Sequence, residues 1–133
     1  MDDANRPGDV RVPETLYVRA PLRSAHKKGA WRVPERIVAS SGLGSVYLDF
    51  THAVIERDQV VVDARPNWRC VELIVPEGYA VTVEEVVPGA FDLLENRAVA
   101  KARPGAPTIH VMVRLGQGQI LVRHPRARRR REG

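Results

Sequence analysis

The sequence predicts an all-β domain, and three observations carry that expectation. Ten prolines are spread over 133 residues, and each lacks the amide donor that a helix interior needs. From residue 42 onward, apolar side chains recur at every second position, the period of a strand with one buried face. These alternating stretches come in pairs that recur at intervals of about twenty to thirty residues, with proline and glycine turns between them.

Taken in order, residues 1–15 are polar, carry prolines at 7 and 13, and read as a disordered lead-in. A folded domain is expected over 16–123 and a disordered arginine-rich tail over 124–133. Leu16 to Ala20 reads as a first short strand, Ser24 to Gly29 as a solvated loop, and Arg36 to Ser40 as a second strand set off by Pro34. One series of strands then presents Val46, Leu48 and Phe50; Val71, Leu73 and Val75; Phe91 and Leu93; and Ile120 and Val122. A second series lies between them, with Val60, Val62 and Ala64; Val81 and Val83; and Ile109, Val111, Val113 and Leu115. Both series lengthen at the same place, 96–108, which reads as an inserted loop. Gly42, Gly44, Gly116 and Gly118 mark turns, where glycine would supply a positive φ.

A unit of two short strands cannot bury its own apolar face, whereas stacked units can. The fold expected is therefore a short β-helix, or solenoid, of stacked two-strand repeats. The alternative is an antiparallel β-sandwich, which the same alternation would produce. The chain length suits one domain. The polar start lacks the pattern of a signal peptide, and the single Cys70 has no partner for a disulfide, so a cytoplasmic setting is expected.

Residues 31–126 carry a resemblance. Trp31 to Ala39, the turn Gly42-Leu43-Gly44-Ser45-Val46, the segment Val75-Pro76-Glu77-Gly78-Tyr79, the loop Gly105-Ala106-Pro107 and the ending Ile120 to Arg126 are similar to the LiaF-like C-terminal domain family of high-GC bacteria. That family is named for the cell-wall-active antibiotic response, and a short helical SHOCT-like domain often precedes it. Two later units depart from the Gly-Ser-Val turn, showing Trp68-Arg69-Cys70-Val71 and Pro88-Gly89-Ala90-Phe91. The resemblance implies a non-catalytic β-solenoid linked to envelope stress.

Nothing in the residues points to an enzyme, a cofactor or a metal. His26, His52, His110 and His124 are dispersed and lack ligand spacing. Ser45, Asp49 and His52 supply the residue types of a triad without the strand-to-helix elbow that presents a nucleophile. The paired glycines lead into strands rather than into the helix a phosphate loop requires. Cys70 reads as a small filler, and Glu72, Glu84, Glu85 and Asp92 as an acidic group on the repeats, read as a solvated sheet face with a site for a basic partner segment as the alternative.

Charge is the exception. Six arginines and one glutamate lie in 123–133, a net of +5 that equals the charge of the whole chain. Arg123, Arg126, Arg128, Arg129, Arg130 and Arg131 are the candidate polyanion-binding residues, because clustered guanidiniums repel one another and bind polyanions by releasing counterions. The function expected is a binding or scaffold module with a protein partner. Its tail would reach anionic surfaces, which would set it peripheral to the inner face of the membrane. A nucleic-acid-associated accessory protein, binding through the same tail, is the alternative. Open ends of a short stack also point to homo-oligomers.

Overall fold

The computed structural model describes residues 14–98 and 101–126. Ten strands form two five-stranded sheets. They are β1 (Thr15–Ala20), β2 (Ala25–Lys27), β3 (Arg36–Ser41), β4 (Val46–Asp49), β5 (Gln59–Arg65), β6 (Val71–Ile74), β7 (Ala80–Glu85), β8 (Leu94–Asn96), β9 (Thr108–Val113) and β10 (Ile120–Arg123). The all-β expectation holds. The odd-numbered strands make one sheet and the even-numbered strands the other. Every pairing of named strands is parallel, so the antiparallel pairing weighed as the alternative is absent among them.

Alternation explains the core. Ile37 and Ala39 of β3, Val60, Val62 and Ala64 of β5, and Ile109, Val111 and Val113 of β9 point inward from the odd sheet. They meet Val46, Leu48, Phe50, Val71, Leu73, Val75, Ile120 and Val122 from the even sheet, all fully buried. Register keeps like with like: Val46 is aligned with Val71, and Val71 with Ile120. The rows through Val46 and Leu48 are thus ladders of branched aliphatic side chains running across the strands, a packing that suits a pleated surface, while Ala39 aligns with Ala64.

The chain does not fill the sheets in sequence order. The odd sheet runs β1-β3-β5-β9-β7 and the even sheet β2-β4-β6-β10-β8. Three strand pairs are laid side by side, the fourth skips one position, and the last pair returns to fill the gap. The return falls between β8 and β9, the place where both series lengthen; residues 99 and 100 in that connection lie outside the described residues.

Several local expectations are corrected. Ser24 to Gly29 is not all loop, because β2 within it pairs with β4; tertiary pairing overrides a weak local preference. Phe91 and Leu93 do not form an inward-facing strand. They lie in a single 3-10 turn, Ala90–Leu93, whose buried residue is Ala90, while Phe91 is 41% exposed. The turn begins at Gly89, which has φ 91°, and the Glu85 carboxylate accepts bonds from the Gly89 and Phe91 amides. Leu94 takes the aligned position beside Ile120 instead. Leu115 is exposed, and Val81 and Val83, on an outermost strand, are only half-buried.

The glycines at 42, 44, 116 and 118 have no positive φ. Their requirement is space. A side chain on Gly42 or Gly44 would overlap the backbone of Ala20 to Ser24, and one on Gly116 or Gly118 would overlap that of Pro66 to Arg69. Adjacent connections lie in backbone contact here, with the Gly44 amide donating to Ala20 and the Gly118 amide to Pro66.

Candidate anion-binding surface

The outward positions of the odd sheet bring together residues that are far apart in sequence. Asp63 of β5 faces away from the core yet is fully buried, because three arginines close over it. Arg114 donates from Nε and Nη2 at 2.6 and 3.2 Å. Arg65 donates from the same two nitrogens at 3.2 and 3.1 Å, and Arg36 adds one bond from Nη2 at 3.1 Å. Two of the three contacts are forked, the geometry that suits a guanidinium to a carboxylate.

Burial by itself pushes the Asp63 carboxyl up. The hydrogen bonds and charges of Arg65 and Arg114 outweigh that and hold it below the ordinary aspartate range. Arg65 is raised in turn, chiefly by its bond to Asp63. One carboxylate cannot neutralise three guanidiniums, so positive charge remains in excess. Each arginine side chain keeps about a third or more of its surface in water, at 36% for Arg36, 43% for Arg65 and 32% for Arg114. Arg19 extends the same face on β1, its guanidinium lying 5.3 Å from the ring centre of Tyr17, and Tyr17 is 58% exposed. At the far end, His110 bridges Thr82 and Glu84 at 2.7 and 2.9 Å.

Five glutamates are paired with arginines elsewhere. Glu72 is paired with Arg123, Glu95 with Arg97, Glu56 with Arg32, and Glu14 and Glu35 with Arg57. The expected acidic group does not assemble: Glu84 lies on the odd sheet bonded to His110, Glu72 on the even sheet, and Glu85 closes the 3-10 turn.

Of the arginines singled out in the sequence, Arg123 is on β10, where Nε donates to Glu72 at 2.6 Å and Nη1 to the His124 carbonyl at 3.0 Å. Arg126 is exposed. Arg128, Arg129, Arg130 and Arg131 lie outside the described residues. Arg19, Arg36, Arg65 and Arg114 were missed, because a charge count along the chain does not show which face each arginine takes. Parity was the available signal: Asp63 and Arg65 occupy the outward positions of a stretch whose Val60, Val62 and Ala64 point in.

Other candidates separate in space. Ser45 precedes β4 and Asp49 ends it, so about 13 Å of strand lies between them. Ser45 Oγ accepts from the Cys70 amide at 3.3 Å, and its own amide donates to Ser24 Oγ at 3.0 Å, which ties neighbouring connections together. Burial and the Glu72 charge push the Cys70 thiol up, the opposite of nucleophilic activation. His26 stacks on Tyr47 at 4.7 Å, and His124 Nδ1 lies 2.8 Å from the Val75 carbonyl. No group of three or more metal-ligating side chains is found among the described residues, and no helix there is long and apolar enough to cross a membrane.

No protein-family model matches the chain, and no curated protein or solved structure matches it.

Proposed function

We propose that this chain is a non-catalytic binding module, a short β-solenoid whose basic outer face, together with its arginine tail, engages anionic surfaces. The observation that carries the reading is the set of Arg19, Arg36, Arg65 and Arg114 on one sheet face, where Asp63 is the one carboxylate that Arg36, Arg65 and Arg114 share and Glu84, two strands away, is bonded to His110. The solenoid reading is supported by parallel pairing in which each successive unit adds one strand to both sheets. Under this reading, the resemblance of 31–126 to LiaF-like domains suits a scaffold working beside the cell envelope, in the cytoplasm at the inner face of the membrane, with a protein partner on another surface.

The test is a titration of anionic vesicles and random-sequence DNA with three proteins: the intact chain, an Arg19→Gln/Arg65→Gln variant that leaves Asp63 two partners, and a chain ending at 125. Each basic residue near an anionic bilayer contributes ~1 kcal/mol, so the double variant is expected to bind vesicles about 30-fold more weakly. Binding should fall steeply with salt. Unchanged affinity in the double variant would remove the sheet face from the contact. Tighter retention on DNA than on vesicles would favour a nucleic-acid-associated role.

A further inference from the structure

The five connections that lead from an odd strand to the next even strand all lie on one edge of the molecule, because both sheets are parallel. Each carries one exposed large apolar side chain. Leu22 is 74% exposed, Leu43 62%, Trp68 64%, Leu115 48% and Phe91 41%. Only two other large apolar side chains among the described residues are comparably exposed, Tyr17 and Val54. Nothing in the core requires this pattern, since these residues point away from it. The stacking is in register: the Leu43 amide donates to Pro21 and the Gln117 amide to Asn67, at 3.1 and 2.8 Å. Counted back three residues from Ala25, Val46 and Val71, which are aligned on β2, β4 and β6, Leu22, Leu43 and Trp68 occupy matching positions on successive connections, one strand spacing of ~4.8 Å apart in the backbone, with Leu115 and Phe91 on the connections beyond.

The ridge is flanked chiefly by positive charge, with Glu85 of β7 turned onto the Gly89 and Phe91 amides of the 3-10 turn. Arg23, Arg69 and Arg114 lie in the connections themselves, and Arg19 and Arg65 sit on the strands leading into them. The segments 21–24, 42–45, 66–70 and 114–119 hold no aspartate or glutamate, and only 86–93 has one, Asp92. Two copies docked ridge to ridge would set arginine against arginine with almost no acid to pair them. A bilayer with anionic headgroups accepts both features. Leucine and tryptophan tips enter the boundary between headgroups and acyl chains, while arginines remain at the phosphates. A row of exposed side chains also needs no matching pocket in a fluid surface.

We infer that this edge is a membrane-docking ridge, in which Leu22, Leu43 and Trp68 insert into an anionic bilayer and Arg19, Arg23, Arg65 and Arg69 bind its headgroups. The inference rests on the anionic-surface reading above and adds an apolar component that the arginine tail lacks. Surface attachment that persists needs two such signals, because one weak anchor alone is reversible.

Trp68 is a built-in reporter. The other tryptophan, Trp31, is half-buried with its indole nitrogen bonded to the Asp49 carbonyl at 2.8 Å, so Trp68→Phe isolates the signal. The intact chain is mixed with phosphatidylserine–phosphatidylcholine vesicles whose acyl chains carry bromine. Trp68 emission is expected to shift to the blue and to be quenched, with neither change in Trp68→Phe. A Leu22→Ser/Leu43→Ser variant, altered only at exposed sites, should bind these vesicles about tenfold more weakly or worse, yet bind DNA like the intact chain. If the intact chain binds vesicles in a salt-dependent manner with no quenching, the ridge is not inserted and the inference fails while the charge reading stands. If the intact chain binds no anionic vesicle, both fail. If the double serine variant changes only the oligomeric state, the ridge is a contact between protein chains and the membrane inference is overturned.

Discussion

Asp63 shows how one residue couples the fold to its surface. A buried carboxylate is costly unless fully paired, and here all five of its bonds come from arginines on three neighbouring strands or their ends. Asp63→Asn should destabilise the domain by about 2 kcal/mol. The full cost of a broken buried pair is not expected, since the guanidiniums left behind still reach water. The pH dependence follows from the lowered pKa. A carboxyl depressed in the folded state contributes stability that is complete above its unfolded value and lost as pH falls through the folded one. The gap in urea midpoint between the intact chain and Asp63→Asn is therefore expected to be widest near neutral pH and to close below pH ~4. A gap that stays constant down to pH ~3 would show that the carboxylate charge is not what the arginines hold.

At the scale of the element, the connections are as constrained as the strands. Gly118 sits where a side chain would meet the Arg69 backbone, while the neighbouring Gln117 is exposed. Gly118→Ala is expected to cost about 1–3 kcal/mol through overpacking against backbone that cannot rotate away, and Gln117→Ala to change little, within ~0.5 kcal/mol. Thermal midpoints of the two variants check this, and equal midpoints would remove the steric account. The turns themselves were legible in the sequence from their proline and glycine content. The reason for the glycines was not, because close approach depends on which connection lies alongside, and that is a property of the stack.

Across the whole molecule, the last strand pair holds the sheets together. Among the described residues β7 pairs only with β9, and β8 only with β10, so the penultimate pair has no neighbour there until the final pair is inserted. A chain ending at 107 should lose its cooperative unfolding transition, since 80–96 would then have no strand to pair with, whereas a chain ending at 126 should keep it. Circular dichroism melts distinguish the two. A cooperative transition in the shorter chain would mean that the first three pairs are stable without the rest. Filling an internal gap last also requires pairings between strands distant in sequence, such as Gln59 with Thr108, the kind of contact that slows folding.

Period-two alternation determined the β class and most of the inward-facing residues, because burial of one sheet face leaves its mark at every second position. Val46, Leu48, Val71, Leu73, Ile120 and Val122 were readable in this way, and so was the excess charge of the terminal arginines. Phe91 was misread since a 3-10 turn can imitate two steps of alternation. The strand order β5-β9-β7, the closure of Arg36, Arg65 and Arg114 over Asp63, and the row of Leu22, Leu43 and Trp68 along one edge were decided only in the tertiary structure. Their physical cause is register between units: a single strand specifies which of its side chains face outward, but their neighbours come from strands and turns that the chain reaches tens of residues later.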